Sequence, residues 1–299
     1  MFFRKIMKQN MTQEPIVYQT GTYVKLINKA EYCKSIIADG KELIVTGNES
    51  GELIVPELKD PKVYITFKEG ITVFSDVFFG CTKLTSVPAN LFANHPNATS
   101  FSGAFFCCTS LKSIPAGLFA NNRKVTDFFS TFFGCTSLAA IPENLFAKCS
   151  EVTTFSTTFH GCSALTTIPE NLFANNSAVT TFSETFYGCK ALIAIPENLF
   201  ANNPKATAFN FTFVGCTSLT SIPTALFDNN RKVTDFAYTF ASCKALTGES
   251  PYTMIDGQKV HLYERKNYPE QFTAPTGFQD CFYDSNKLTD YAQIPTDWL

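Results

Sequence analysis

The chain has 299 residues, 45% of them hydrophobic and only 17% charged, and 24 Lys+Arg against 26 Asp+Glu leave a net charge of −2. That balance excludes a protein held to nucleic acid or an anionic membrane mainly by charge. No run approaches the ~18 apolar residues of a membrane-spanning helix, and the 11 cysteines, an odd number, cannot all pair within one chain.

Residues 1–10 are basic but lack an apolar core, so they are not read as a secretory signal. Residues 1–73 read as a β-rich N-terminal cap or attachment domain, and any oligomerisation is assigned to it. Strand-like runs fall at 16–18, 23–27, 43–45, 53–55 and 63–67, and Asp39-Gly40 is a hairpin signal.

Residues 74–247 are a repeat. Cys81, Cys108, Cys135, Cys162, Cys189, Cys216 and Cys243 stand 27 residues apart. Phe recurs seven before the Cys (Phe74 to Phe236), three before it (Phe78 to Phe240) and eleven after it (Phe92 to Phe227). Pro follows seven residues after each Cys except the last. A unit this short cannot enclose a core, but stacked units can share one. The expected fold is therefore a repeat solenoid of seven coils, leucine-rich-repeat-like, with short strands and short helical turns. Within one coil, residues 165–168 read as a strand, Pro169-Glu170-Asn171-Leu172-Phe173 as a helical turn, and Asn175-Asn176 as its left-handed exit. Residues 179–182 give a second extended piece, and Gly188 turns the corner before Cys189. The seven cysteines read as a structural ladder of buried, reduced thiols. Of those off the ladder, Cys149 is the thiol expected to react first.

Residues 248–299 read as a C-terminal cap. A hairpin turns at Asp256-Gly257, and the repeat then returns with Ser285 in the Cys column, 42 residues after Cys243. Trp298 is expected to cover the last core layer.

The F-x-G-C-x-x-L-x-x-I-P core, as in residues 186–196, resembles the BspA-like branch of bacterial leucine-rich repeat surface proteins. The V-T-x-F-S-x-T-F-x-G-C arm of residues 179–189 is also similar to repeats of mycoplasma-type surface proteins. The resemblance implies a cell-surface or extracellular protein engaged in adhesion, with no enzymatic role.

No phosphate-loop, dinucleotide or zinc-protease pattern occurs, so no catalytic residue, metal or cofactor is assigned. His160 lies two residues before Cys162, but a nucleophile needs exposure and an orienting third group. Glu143, Glu170 and Glu197 stack in consecutive coils and read as solvated carboxylates, and Thr99, Thr126, Thr153, Thr180, Thr207 and Thr234 as a hydroxyl ladder. The column two before the Cys, with Phe79, Phe106, Phe133, His160 and Tyr187, is the candidate contact stripe for a protein or glycan. The leading function is a non-enzymatic recognition or adhesion scaffold at a bacterial surface. The alternative is a structural bacteriophage virion component, a fibre or decoration protein, which would assemble in the cytoplasm, where reduced thiols persist.

Overall fold

The computed structural model describes residues 14–299. The N-terminal part carries β1 (Ile16–Tyr18), β2 (Gly21–Ile27), β3 (Cys33–Ala38), β4 (Lys41–Glu42), β5 (Leu53–Leu58) and β6 (Lys62–Phe67). Asp39 and Gly40 join β3 to β4 at φ 48° and 69°, as a tight hairpin requires. Residues 43–45, expected as a strand, are irregular, and Ile44 is 81% exposed. The strand lies one segment earlier, where Cys33, Ser35, Ile36 and Ala38 turn inward.

The cap meets the repeats through backbone pairing. One sheet runs β4-β3-β6-β1-β7, and β7 (Leu84–Ser86) already belongs to the first coil. Asn28 completes the junction: its N–H donates to the Val77 carbonyl and its Nδ2 to the Asp76 carbonyl, both at 2.9 Å. It thereby satisfies groups that a preceding coil would have faced.

From Val73 onward the coils stack in parallel register. Val73, Ser100, Asp127, Thr154, Thr181, Ala208, Asp235 and Gly277 bridge in succession. Apart from β7, the expected strands within coils shrink to such single bridging residues. The expected helical turns are absent as well. In the coil of Pro169, separate three-residue turns form from Leu172 to Pro169, Ala174 to Asn171 and Asn176 to Phe173, at 3.1–3.2 Å. Their bonds skip alternate residues, whereas a helix needs consecutive ones. Nor does Asn176 exit left-handed; it is fully buried, with its side chain turned into the core.

The core is continuous from cap to cap. Rings three before the Cys stack at 5.3–5.7 Å from Phe78 through Phe282. Rings eleven after it stack at 6.0–6.3 Å, each inclined by 50–72° to the ring seven before the next Cys.

An eighth coil closes the stack: Phe236, Tyr238, Phe240 and Ser242 donate their N–H groups to Gly277, Gln279, Cys281 and Tyr283 at 2.6–3.0 Å. The insertion before it holds β8 (Tyr252–Ile255) and β9 (Gln258–His261), joined at Asp256-Gly257, and the 3-10 helix Leu262–Asn267. Trp298 stacks on Phe278 at 5.2 Å, also lies 6.5 Å from Phe236 of the seventh coil, and is 3% exposed, so it packs against the last two ring layers.

Candidate interaction surface

Three buried polar columns lock coil to coil. Each ladder thiol from Cys108 to Cys243 donates to the carbonyl of a Phe 30 residues earlier, at 3.1–3.3 Å. Ser285 does the same to Phe240 at 2.7 Å. Thr131, Thr158, Thr185, Thr212 and Thr239 each bridge two Phe carbonyls. Asn122, Asn176, Asn203 and Asn230 reach two carbonyls of the preceding coil through Nδ2, at 2.8–3.2 Å. All seven ladder cysteines are fully buried. Burial pushes their thiols upward, which keeps them protonated and inert.

Cys149 shares the Asn column and is fully buried, its sulfur facing the Phe119 and Asn122 carbonyls. It is therefore not the first thiol to react. Cys107 is the half-buried cysteine among eleven; it stands in the column of corner glycines with φ 55°.

The arm before each Cys is built on alternate backbone bonds. Residues seven, five, three and one before the Cys donate forward to the next coil, as do Phe101, Gly103, Phe105 and Cys107 at 2.7–3.0 Å. The residue five before the Cys has positive φ in every coil: Asp76, Gly103, Ser130, Thr157, Glu184, Phe211, Tyr238 and Asp280, at 52–61°. A left-handed non-glycine residue costs ~1–2 kcal/mol. Here each such N–H, from Asp76 through Tyr238, is bonded to the next coil, which offsets the strain.

This strained turn projects the stripe. Phe79, Phe106, Phe133, His160 and Tyr187 form one face-to-face column at 4.3–4.8 Å with planes within 17°. Phe79 is 39% exposed and the other four are half-buried. His160 Nδ1 lies 3.2 Å from Glu184 Oε2. Burial pulls the imidazole below its ordinary range, with Glu184 pulling the other way. Rings stacked on one another offer solvent their edges, not their faces. That geometry suits apolar side chains better than sugars, which pack on ring faces.

The Thr and Glu columns are polar. The Thr126, Thr153, Thr180, Thr207 and Thr234 hydroxyls donate to the carbonyl 27 residues back at 3.2–3.4 Å, which fixes their rotamers. Glu143, Glu170 and Glu197 are exposed; Glu170 accepts from Asn198 at 3.3 Å. Among the described residues no group of three or more acidic, His or Cys side chains is placed to hold a metal.

One trio went unnoticed in the sequence. Ser250 Oγ lies 2.8 Å from His261 Nδ1 and 2.5 Å from Asp290 Oδ2. The serine sits between the other two and is fully buried, so its proton goes to the carboxylate. In a nucleophilic triad the histidine holds that middle place. This trio instead ties the insertion to the eighth coil.

No protein-family profile and no curated protein sequence matches the chain. Among solved structures, a leucine-rich repeat protein of T. pallidum is similar at 20% identity and a TM-score of 0.30, over 50% of this chain and 61% of that one. A leucine-rich repeat protein from Bacteroides ovatus has 17% identity and a TM-score of 0.21, over 64% of this chain and 72% of that one. A leucine rich cell surface protein from Faecalibacterium prausnitzii has 16% identity and a TM-score of 0.19, over 93% and 94%. The chain thus spans less than two thirds of the T. pallidum protein's length. No helix among the described residues is long and apolar enough to cross a membrane.

Proposed function

We propose that the chain is a non-enzymatic recognition scaffold, a solenoid that presents its ring-bearing arm to a protein at a bacterial surface. The observation that carries this is the column from Phe79 to Tyr187: five rings held at 4.3–4.8 Å across five coils, four of them half-buried and Phe79 exposed, on a strained but fully bonded turn. A rigid, low-charge stripe of this kind lowers the entropic cost of docking, because its side chains are ordered before the partner arrives. Exposed ring edges favour a protein partner over a glycan. The surface setting rests on the BspA-like character of the repeat.

Site-specific photo-crosslinking tests the reading. A benzoylphenylalanine in place of Phe106 or Phe133 should trap a surface protein from intact bacterial or host cells. The same group in place of Glu170, on the proline side of the coil, should trap none. Equal crosslinking from both sides, or strong glycan-array binding that survives F106A, would overturn it.

A further inference from the structure

The ring column has a furrow running beside it. One residue before each Cys stand Gly80, Cys107, Gly134, Gly161 and Gly188, directly next to Phe79, Phe106, Phe133, His160 and Tyr187. The left-handed backbone does not by itself select glycine there. Over eight coils this column holds φ of 55–71° with five glycines, whereas the column five before the Cys holds 52–61° with one. Crowding inside the chain does not select it either, because a Cβ on Gly161 or Gly188 would meet nothing nearer than 3.7 Å. The outcome is a ridge of ring edges and a bare furrow, parallel and equally long, about 18 Å over five coils.

The flanks carry a matching charge pattern. Chain order around a coil is also order across its face, so the residues five before the Cys and those one or two after it lie on opposite sides of ridge and furrow. On the first side the five coils offer Asp76, Gly103, Ser130, Thr157 and Glu184, acidic at the two ends alone. On the second side the charged residues are Lys83 and Lys190, again in the end coils, with Ser, Thr and Ala between them. Among the described residues, Asp76, Lys83 and Lys190 make no ion pair within the chain.

We propose that the stripe docks on a second copy of this chain. A two-fold axis through the third coil, at Phe133 and Gly134, lays the ridge of each copy in the furrow of the other, and the copies run antiparallel. A surface that complements itself in this way is what a two-fold interface requires. The same operation sets Glu184 of one copy toward Lys83 of the second, and Asp76 toward Lys190, so opposite charges meet at both ends. A partner must also present its groups at the 4.3–4.8 Å interval of the rings to engage all five. That interval is close to the spacing of paired strands, and a second solenoid has it by construction. The contact is narrow, so the association is weak and depends on crowding of chains at a surface. This rests on the recognition reading and names its partner.

Sedimentation velocity of the full chain from about 5 to 500 µM tests it. A dimer should form as concentration rises. F133E, which brings two carboxylates together near the axis, should weaken it roughly tenfold or more. G161N adds bulk to the furrow in a conformation that asparagine accepts, and should weaken it severalfold. K190E should also weaken it, and D76K/K190E, which exchanges the two charges, should recover it. K205E, in the turn after Asn203, should leave it unchanged. Thermal melts establish that the variants fold, and G161N carries the test if F133E does not. A single monomeric species at every concentration, or a dimer indifferent to both F133E and G161N, would overturn the pairing. A chain that stays monomeric yet crosslinks a different surface protein from its stripe would overturn it too, while leaving the broader recognition reading intact.

Discussion

Single residues carry the coil-to-coil bonds, and their removal is the sharpest test of the core. Asn203 satisfies the carbonyls of Phe173 and Asn176. N203A removes one donor from each of these buried carbonyls, which keep only their turn bonds from the Asn176 and Val179 N–H groups, and should cost about 2 kcal/mol in urea unfolding; N203C should cost less, since Cys149 already fills that column. The thiols predict a pH response. An unfolded cysteine ionises near about pH 8.5, whereas burial raises Cys33, Cys149 and Cys243 to about 12. Above about pH 9 the unfolded chain therefore gives up protons that the native one retains, and stability falls as pH rises. The urea midpoint should hold steady near neutrality and drop steeply from about pH 9 to 11; a flat profile would contradict the burial of these groups. In native protein at pH 8, a disulfide reagent should modify Cys107 alone quickly, and C107S should abolish that phase.

The elements show where periodicity was informative and where it was not. Columns filled by one residue type, such as Phe, Cys or Leu, were readable because a buried position repeats its chemistry. The left-handed column was not, since Asp, Ser, Thr, Glu, Phe and Tyr all occupy it and only backbone bonding holds the conformation. The proline segment imitated a helix start, yet the inward pull of Leu172, Phe173 and Asn176 breaks it into separate turns. The stripe was legible as a column with varied aromatic content, but its stacking was not, because spacing says nothing of ring planes. Arg265 left no signal at all. It is buried in the insertion, donates to the Asn230 and Phe227 carbonyls at 3.0 and 2.8 Å, and so stands in for the asparagine of a following coil. Burial lowers its guanidinium to about 9, still charged at neutral pH, and Phe272 covers it at 4.4 Å. R265A removes the guanidinium donor from both carbonyls, leaving Phe227 only its turn bond from the Asn230 N–H, and should open residues 248–299 in hydrogen exchange before the coils, with a loss of about 3 kcal/mol.

At the scale of the molecule, interior coils are interchangeable and the ends are not. Excising residues 182–208, one full period, should leave a folded protein with a modestly lower melting temperature and a smaller urea m-value, because its neighbours meet the same columns again. Excising 74–100 should fail, since β1 and Asn28 are matched to Ser86, Leu84, Val77 and Asp76 of the first coil. The buried Cys, Thr and Asn side chains also share a direction: each reaches back to acceptors 27 or 30 residues earlier. Every turn of the chain thus arrives carrying the donors its predecessor lacks. During synthesis the amino-terminal cap emerges first, and each newly translated period can zip onto a surface already waiting for it, so that assembly runs with the ribosome rather than against it.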